Sequence, residues 1–410
     1  MSNLLGLEYL KSLLDAKRTR CELRYSYYEL KNRIPPILKN SPYGKQNLEC
    51  VVGWAQKSVD CLADRLVVKR FKNDDFDIEP IFDMNSRDIL FPSAIASALI
   101  TSCSFIWISK DAETEDIRME VIDGRNATGI VDPVTGFLKE GYAVLDVDPK
   151  TKKPILEAYF TPTETVFHRK GEEPYSVQNP ARWPLLVPVI FRPDAKRPMG
   201  HSRISRAQMR LIESAVRTLF RSEVAGEFYS FPQKYVLGTS ADSEPMEKAK
   251  ATVSTLIEIS KDEDGDHPVM GQFTTQPMGP FLDQFRTFAS SFAGETGLTL
   301  NDLGFQSDVP ASADAIKSAH EELRNIGKSA QKTFSVAFIN AGLLGASLRD
   351  NQSYKRSEIY RTKIVWEPMF EPDASMISGF GDGANKINQV VPGFFDKANI
   401  EDLTGIQAGE

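Results

Sequence analysis

Apolar residues recur at three- and four-residue spacing in several long stretches of the chain, which is typical of helices that bury one face. The first stretch, residues 1–32, predicts an amphipathic helix or a pair of helices that Pro35 and Pro36 end. Further helices are predicted at about 47–66 and 86–102, with a short strand at 66–68 between them.

The pattern changes to a period of two between Phe105 and Arg192, which is typical of strands. Five segments carry it: FIWIS, RMEVI, FLKEGYAVLDV, ILEAYF and LLVPVIF. The turn signals DGRN, DPVTG and DPKTKKP separate them. We expect an antiparallel sheet region against which the earlier helices pack.

The helical period returns at Ser202, a candidate N-cap, and continues for nearly thirty residues. Such a helix would be about 40 Å long. A strand (QKYVLG), a helix (EPMEKAKATVSTLIEIS), an acidic turn (KDEDGD) and a strand (HPVMGQF) are predicted after it. Because helices and antiparallel strands fall in separate runs along the chain, we predict an α+β fold.

Two more helices are predicted around an irregular segment at 298–311. The first, at 279–296, places four phenylalanines on one face: Phe281, Phe285, Phe288 and Phe292. The second is expected to run from near Ser312 to about Ser347, over about 50 Å. A strand in YRTKIVWEPM and a glycine-rich helical tail complete the prediction.

The composition is that of an ordinary soluble globular protein. The chain has 410 residues, 41% hydrophobic and 26% charged, with room for two or three domains. Its net charge of −7 argues against a tight nucleic-acid binder, which usually shows a basic surface. Four cysteines without a CxxC pair predict free thiols in a reducing compartment. No secretory signal or membrane span is recognised, so we expect assembly from the cytosol.

No catalytic, cofactor or metal site is predicted. The four histidines do not cluster at metal-ligand spacing, and His320 is interpreted as a solvated helical side chain. The KDEDGD run lacks the glutamate that closes a calcium loop, because Phe273 stands at that position. Nothing marks a nucleophile.

Five arginines are predicted to form one stripe along the helix that begins at Ser202: Arg203, Arg206, Arg210, Arg217 and Arg221. The opposite face carries Ile204, Leu211, Ala215 and Leu219. One interpretation is a solvated face paired with Glu213 and Glu223. The other interpretation is a subunit contact or a surface that faces a phosphate backbone.

Four stretches of the chain, in this order and spacing, resemble the portal proteins of tailed bacteriophages, in the branch that includes the portal of Bacillus phage SPP1. They are SVDCLADRLVVKRF (58–71), LLVPVIFRPDAKRPMGHSRIS (185–205), RTLFRSEVAGEFYSFPQKYVLG (217–238) and LGFQSDVPASADAIKSAHEEL (303–323). The resemblance spans about residues 1–370.

The resemblance implies a ring, typically of twelve subunits, at one capsid vertex, through which double-stranded DNA passes during packaging and ejection. It implies no catalysis and no cofactor. The implied partners are the terminase large subunit, the major capsid and scaffolding proteins and the head–tail adaptor, without a membrane. The protein would be part of the virion, assembled in the cytoplasm of the host bacterium.

The resemblance also implies a division into the family's usual parts. The wing would be 1–200 and 349–372, the stem helices 201–230 and 279–296, and the clip 231–278. The tunnel loop would be 297–311, followed by a long kinked helix at 312–348 and a short crown at 373–410. The tunnel-loop candidates for the DNA channel are Asn301, Asp302, Phe305, Gln306, Ser307 and Asp308.

The charge is compatible with a conduit, which should not hold DNA tightly. Twelve subunits of −7 would together carry −84, and such a field repels a polyanion. Two alternatives remain: another head–tail connector component, or a nucleic-acid-processing enzyme. The latter would need clustered carboxylates that hold a metal ion.

Overall fold

A computed structural model describes residues 4–33, 50–230, 234–237, 269–272, 277–305, 318–359, 361–370, 374–397 and 399–400. The fold is mixed α/β. The chain forms two compact units, one of Met1–Asn32, Gly53–Arg206 and Thr296–Glu410, the other of Arg33–Val52 and Ala207–Glu295. No described helix is both long and apolar enough to cross a membrane.

The described helices, numbered along the chain, are α1 (Leu7–Tyr28), α2 (Trp54–Ala63), α3 (Ile78–Met84), α4 (Arg87–Thr101), α5 (Arg206–Ser230), α6 (Gly279–Thr296), α7 (Glu321–Arg349), α8 (Arg356–Ile359) and α9 (Ala374–Val390). The described strands are β1 (Val68–Lys72), β2 (Cys103–Lys110), β3 (Ile117–Ile122), β4 (Ala127–Val131), β5 (Leu138–Val147), β6 (Pro154–Phe160), β7 (Glu164–Arg169), β8 (Tyr175–Gln178), β9 (Leu186–Ile190), β10 (Lys234–Leu237), β11 (Val269–Gln272) and β12 (Lys363–Trp366).

The predicted helices near the N-terminus exist, with shifted ends. The first is a single helix that ends at Tyr28, well before Pro35 and Pro36. The second begins at Trp54 rather than near residue 47. Helix α3 was not predicted, because its start depends on a side chain outside it: the Asp74 carboxylate accepts the backbone N–H groups of Ile78 (3.0 Å) and Glu79 (2.8 Å).

The strand region forms two antiparallel sheets rather than one. Three strands pair in the order β3-β2-β9, and five in the order β4-β5-β6-β7-β8. The five predicted strands correspond to β2, β3, β5, β6 and β9. Strands β4, β7 and β8 were not predicted, since their apolar and polar residues do not alternate clearly in the sequence. Farther along the chain, β12 pairs antiparallel with β1.

Aromatic packing joins four elements of the first unit. Phe82 of α3 stacks on Phe71 of β1, with ring centroids 5.3 Å apart. Phe91 of α4 lies 5.0 Å from Phe82 and 4.5 Å from Phe338 of α7. A series of buried rings therefore fixes β1, α3 and α4 against the long helix, and burial of such side chains supplies much of the stabilisation of a fold.

The predicted long helix is broken. Residues 306–317 lie outside the described residues, and Ser318 and Ala319 are helical. His320 then forms a turn, and α7 runs from Glu321 to Arg349. The apolar period does not indicate this turn, because periodicity does not register the packing of the His320 side chain, which is described below.

The second unit holds most of α5 and α6 and the antiparallel pair β10 and β11. The Thr218 hydroxyl of α5 donates a hydrogen bond to the Gln284 side-chain oxygen of α6 at 3.0 Å. On α6, Phe292 is buried, and Phe281, Phe285 and Phe288 are partly buried. The helix and acidic turn predicted at 244–266 lie outside the described residues.

Candidate functional site

Helix α5 presents a set of arginines that we call the α5 arginine surface: Arg206, Arg210, Arg217 and Arg221. Arg206, Arg210 and Arg221 are exposed and Arg217 is partly exposed. The Glu213 carboxylate lies between two of them, 2.7 Å from the Arg210 guanidinium and 3.9 Å from that of Arg217. This confirms the predicted pairing with Glu213. One carboxylate shared by two guanidinium groups leaves this part of the helix positive.

The predicted pairing with Glu223 is absent from the ion pairs of the described residues. Glu223 instead acts on the Cys50 thiol of the same unit. Burial, with a further contribution from Glu223, raises the pKa of Cys50 to about 11. Glu223 therefore belongs to a contact inside the second unit, which its helical spacing from the arginines could not indicate.

Arg203 does not lie on the α5 arginine surface, and its place in the predicted stripe is wrong. Helix α5 begins at Arg206, so helical spacing does not apply to residue 203. Ser202, predicted as the N-cap, instead donates from its hydroxyl to the Ile100 carbonyl and accepts the N–H of Ile204. Ser202 and Arg203 therefore both lie in the segment that precedes α5.

The Arg203 side chain is buried, at 6% exposure, among backbone carbonyls. Its Nε donates to the Ser58 carbonyl of α2 at 2.6 Å, and its Nη2 donates to the Thr296 carbonyl at the end of α6 at 2.7 Å. Burial lowers the pKa of Arg203 to about 10. A cation is favourable at a helix C-terminus, where carbonyl groups lack partners within the helix. Arg203 thus ties the chain before α5 to α2 and to the end of α6.

The predicted tunnel-loop segment begins with a tight turn. The N–H and hydroxyl of Thr299 each donate to the Asp302 carboxylate at 2.8 Å. The Phe305 N–H donates to the Leu300 carbonyl at 3.0 Å. The Asn301 side chain is exposed, whereas the Asp302 carboxylate is engaged in the two hydrogen bonds of the turn. Gln306, Ser307 and Asp308 lie outside the described residues.

His320 is mostly buried, so its interpretation as a solvated side chain is wrong. The side chain is 14% exposed, and its ring lies 5.4 Å from the ring of Phe370. Its Nδ1 is 3.8 Å from the Asp302 carboxylate, which is longer than a hydrogen bond. The two residues are eighteen positions apart in the sequence, and no local pattern brings them together.

Two guanidinium groups also lie over the ring of Phe370, those of Arg65 at 5.1 Å and Arg324 at 5.3 Å. This cluster was not predicted, because its members come from separate parts of the chain. Within the described residues, no group of three or more His, Cys, Asp or Glu side chains is placed to hold a metal ion.

Comparison with known proteins gives two curated relatives. The chain is 25% identical over 390 residues to a protein of Mycobacterium phage D29 named portal protein, covering 88% of this chain and 77% of the relative. It is 24% identical over 383 residues to the portal protein of Mycobacterium phage L5, with the same coverage. No protein-family model matches the chain.

Among solved structures, a chain in the neck of an empty gene transfer agent particle shares 11% identity, with a TM-score of 0.46. The match covers 91% of this chain and 94% of that one. The two curated relatives confirm the resemblance predicted from the sequence: this chain is similar, at 24–25% identity, to two phage proteins named portal protein.

Proposed function

We propose that this protein is a phage portal protein that forms a ring at one capsid vertex and provides the channel for packaging and ejection of double-stranded DNA. The observation that carries the proposal is the homology to two portal proteins over 88% of the chain. We infer a ring of twelve subunits that docks the terminase and the head–tail adaptor and contacts the capsid and scaffolding proteins. Its place would be the virion, after assembly in the cytoplasm of the host.

The proposed parts keep the boundaries inferred from the sequence: wing 1–200 and 349–372, stem 201–230 and 279–296, clip 231–278, tunnel loop 297–311, long helix 312–348 and crown 373–410. Two long helices that each have a buried and an exposed face support the stem assignment. Helix α5 buries Ile212, Ala215 and Val216 while its arginine surface stays accessible. That surface would contact neighbouring copies or the channel.

We propose that the segment from Thr299 to Pro310 faces the channel. The turn held by Asp302 and the exposed Asn301 at its tip support this proposal. A cysteine introduced by Asn301→Cys should react with a maleimide in assembled rings whose channel is open. Full protection of that cysteine in an open ring would remove the assignment.

The ring is tested by native mass spectrometry and negative-stain microscopy of the purified protein, with and without scaffolding protein. We expect a closed ring with one subunit number. A stable monomer at micromolar concentration under both conditions would overturn the proposal. A closed ring that lacks a stem and a clip would instead identify another connector component.

The α5 arginine surface is tested by a charge reversal, Arg210→Glu with Arg217→Glu. We expect loss of ring assembly or of DNA packaging, since positive charge would no longer face the neighbouring copy or the phosphate backbone. The matched control, Lys150→Glu with Lys153→Glu in the exposed turn between β5 and β6, makes the same change in net charge. If the reversal and the control assemble and package equally well, the surface has no such role.

The protein is proposed to have no catalytic activity, with ATP hydrolysis supplied by the packaging motor. A nuclease assay on purified protein with Mg²⁺ or Mn²⁺ separates this proposal from the enzyme alternative. Metal-dependent cleavage that persists through repeated purification would favour the enzyme.

A further inference from the structure

The two larger sheets of the first unit end in four edge strands, and one edge is blocked by a side-chain amide. In β3, the Asp111 N–H bonds to the Asp116 carbonyl across the β2–β3 turn at 2.9 Å. Because paired and outward residues alternate in an antiparallel ladder, the backbones of Ile117 and Met119 face outward. The Asn85 side chain donates to the Ile117 carbonyl and accepts the Met119 N–H, at 2.8 and 2.7 Å. The amide thus takes the place of a further strand.

The edge of β9 is blocked by a proline. The Phe191 N–H bonds to the Ser102 carbonyl at 3.0 Å, which places residues 187, 189 and 191 in the pairs bonded to β2. The backbone of Pro188 therefore faces outward. Proline has no N–H, so this edge lacks its central donor.

The edge of β4 is covered by α1. The Val144 N–H bonds to the Asn126 carbonyl at 2.7 Å, so the Ala127 carbonyl faces away from β5. The Lys17 ammonium of α1 donates to that carbonyl at 2.9 Å. Three of the four edges thus carry a device that prevents pairing with another chain, as natural sheets commonly do.

Among the residues that the structure describes, none of these devices lies on strand β8, the last edge of the five-stranded sheet. All four of its residues are exposed, its sequence YSVQ has no charge, and its register with β7 has no bulge. The Asn179 N–H bonds to the Thr163 carbonyl at 2.8 Å, so Tyr175 and Val177 form the pairs bonded to β7. The N–H and C=O groups of Ser176 and Gln178 consequently face outward.

The side chains of β8 add specificity to this edge. Tyr175 and Val177 lie on one face of the strand and are 47% and 51% exposed. Pro174 directly precedes the strand and supplies no N–H, so it limits the length over which a partner can pair. The edge offers two donors, two acceptors and two alternate apolar side chains.

We propose that the β8 edge binds an extended, linear segment of another protein by strand addition, and that this segment carries apolar side chains at alternate positions. A linear segment fits because main-chain hydrogen bonds supply most of the affinity in strand addition. Four residues bury much less than the roughly 1,200 Å² that a stable pair of folded proteins needs, so this edge does not hold a second folded copy by itself. A single chain is sufficient to bind the segment. Only the gain in avidity from many such edges around a ring rests on the proposed function.

The test uses a fluorescent octapeptide of alternating valine and threonine with lysine at both ends, N-methylated at alternate residues so that only one of its edges can pair. Fluorescence anisotropy should show saturable binding to the full chain. Ser176→Pro removes one outward N–H and should weaken binding about tenfold, while Ser176→Ala should stay within about twofold. Circular dichroism checks that both variants fold.

Two further measurements keep the test decisive if Ser176→Pro does not fold. A peptide N-methylated on both edges should not bind the unmodified protein. Hydrogen exchange should slow at the amides of Ser176 and Gln178 when the singly blocked peptide is added, with no change at Val177. Equal binding of both peptides, or unchanged exchange at Ser176 and Gln178, would overturn the proposal.

One outcome separates the proposed occupant from a second copy of the chain. If Ser176 and Gln178 become protected as the concentration of protein alone is raised, and Ser176→Pro removes that protection, a copy of the chain occupies the edge and the linear segment is wrong. Ring formation is read separately by microscopy, so failure of the strand-addition proposal and failure of the portal proposal are distinguishable.

Discussion

Arg203 and Arg210 are seven positions apart and fall on the same line of an ideal helix, yet the structure gives them opposite environments. Arg203 is buried and donates to two backbone carbonyls of separate helices. Arg210 is 66% exposed and forms a pair with Glu213 on its own helix. The difference shows that one residue type at helical spacing can serve either as an internal anchor or as part of an accessible surface. The start of the helix decides which.

The largest effect expected from this comparison is that of Arg203→Ala. Removal of the guanidinium deletes two buried hydrogen bonds, those to the Ser58 and Thr296 carbonyls, which should cost about 2–4 kcal/mol of unfolding free energy. Arg210→Ala is the matched control and should cost less than about 1 kcal/mol, since exposed ion pairs contribute little. Urea denaturation measures both. Equal losses of unfolding free energy for the two variants would show that Arg203 does not stabilise the fold more than the exposed Arg210 does.

The buried thiol of Cys21 should make the stability of the protein depend on pH. Burial raises the pKa of Cys21 to about 11 from an ordinary value of 9.0, so the unfolded chain loses this proton first as pH rises. The stability it contributes is complete below pH 9 and is lost between about pH 9 and 11, by at most about 3 kcal/mol.

The check is the unfolding free energy of the protein and of Cys21→Ala at pH 7.5 and pH 10. The variant will be less stable at pH 7.5 because a buried side chain is truncated, but its decline towards pH 10 should be shallower. Parallel declines would mean that other groups, such as Cys50, carry the alkaline sensitivity.

A smaller effect is expected where the tunnel-loop segment begins. Asp302→Ala removes the acceptor of two Thr299 hydrogen bonds and should cost about 1–2 kcal/mol. Asn301→Ala changes an exposed side chain and should remain within about 0.5 kcal/mol. Thermal unfolding of the two variants compares the loss of stability at Asp302, which is hydrogen-bonded, with that at its exposed neighbour Asn301. A larger loss for Asn301→Ala would show that its side chain has a structural role.

Much of the local structure was predictable because it depends on neighbours in the sequence. The apolar period of α5 and α6 places their buried faces, and the alternation of β2, β3 and β5 places their strands. The pairing of Arg210 with Glu213 also follows from helical spacing. Composition and the family resemblance indicate the tunnel-loop candidates, and the structure adds that Asp302 is held in a turn while Asn301 is exposed.

The remaining features depend on contacts between distant residues. Helix α3 needs the Asp74 carboxylate, the break before α7 coincides with packing of His320 on Phe370, and the position of Arg203 requires α2 and α6. Apolar periodicity averages over a helix and does not register one side chain that bonds outside it. Ser202 illustrates the limit, since its hydroxyl bonds across to Ile100 rather than capping α5.

The sequence by itself determined most of the longer α and β segments, the acidic character of the chain and its resemblance to portal proteins, because each is carried by residue types and their spacing. Only the tertiary structure decided which arginine is buried, which histidine is enclosed and which sheet edge is open. Those outcomes depend on where solvent is excluded and where backbone groups find partners. Both are set by contacts among elements far apart in the chain.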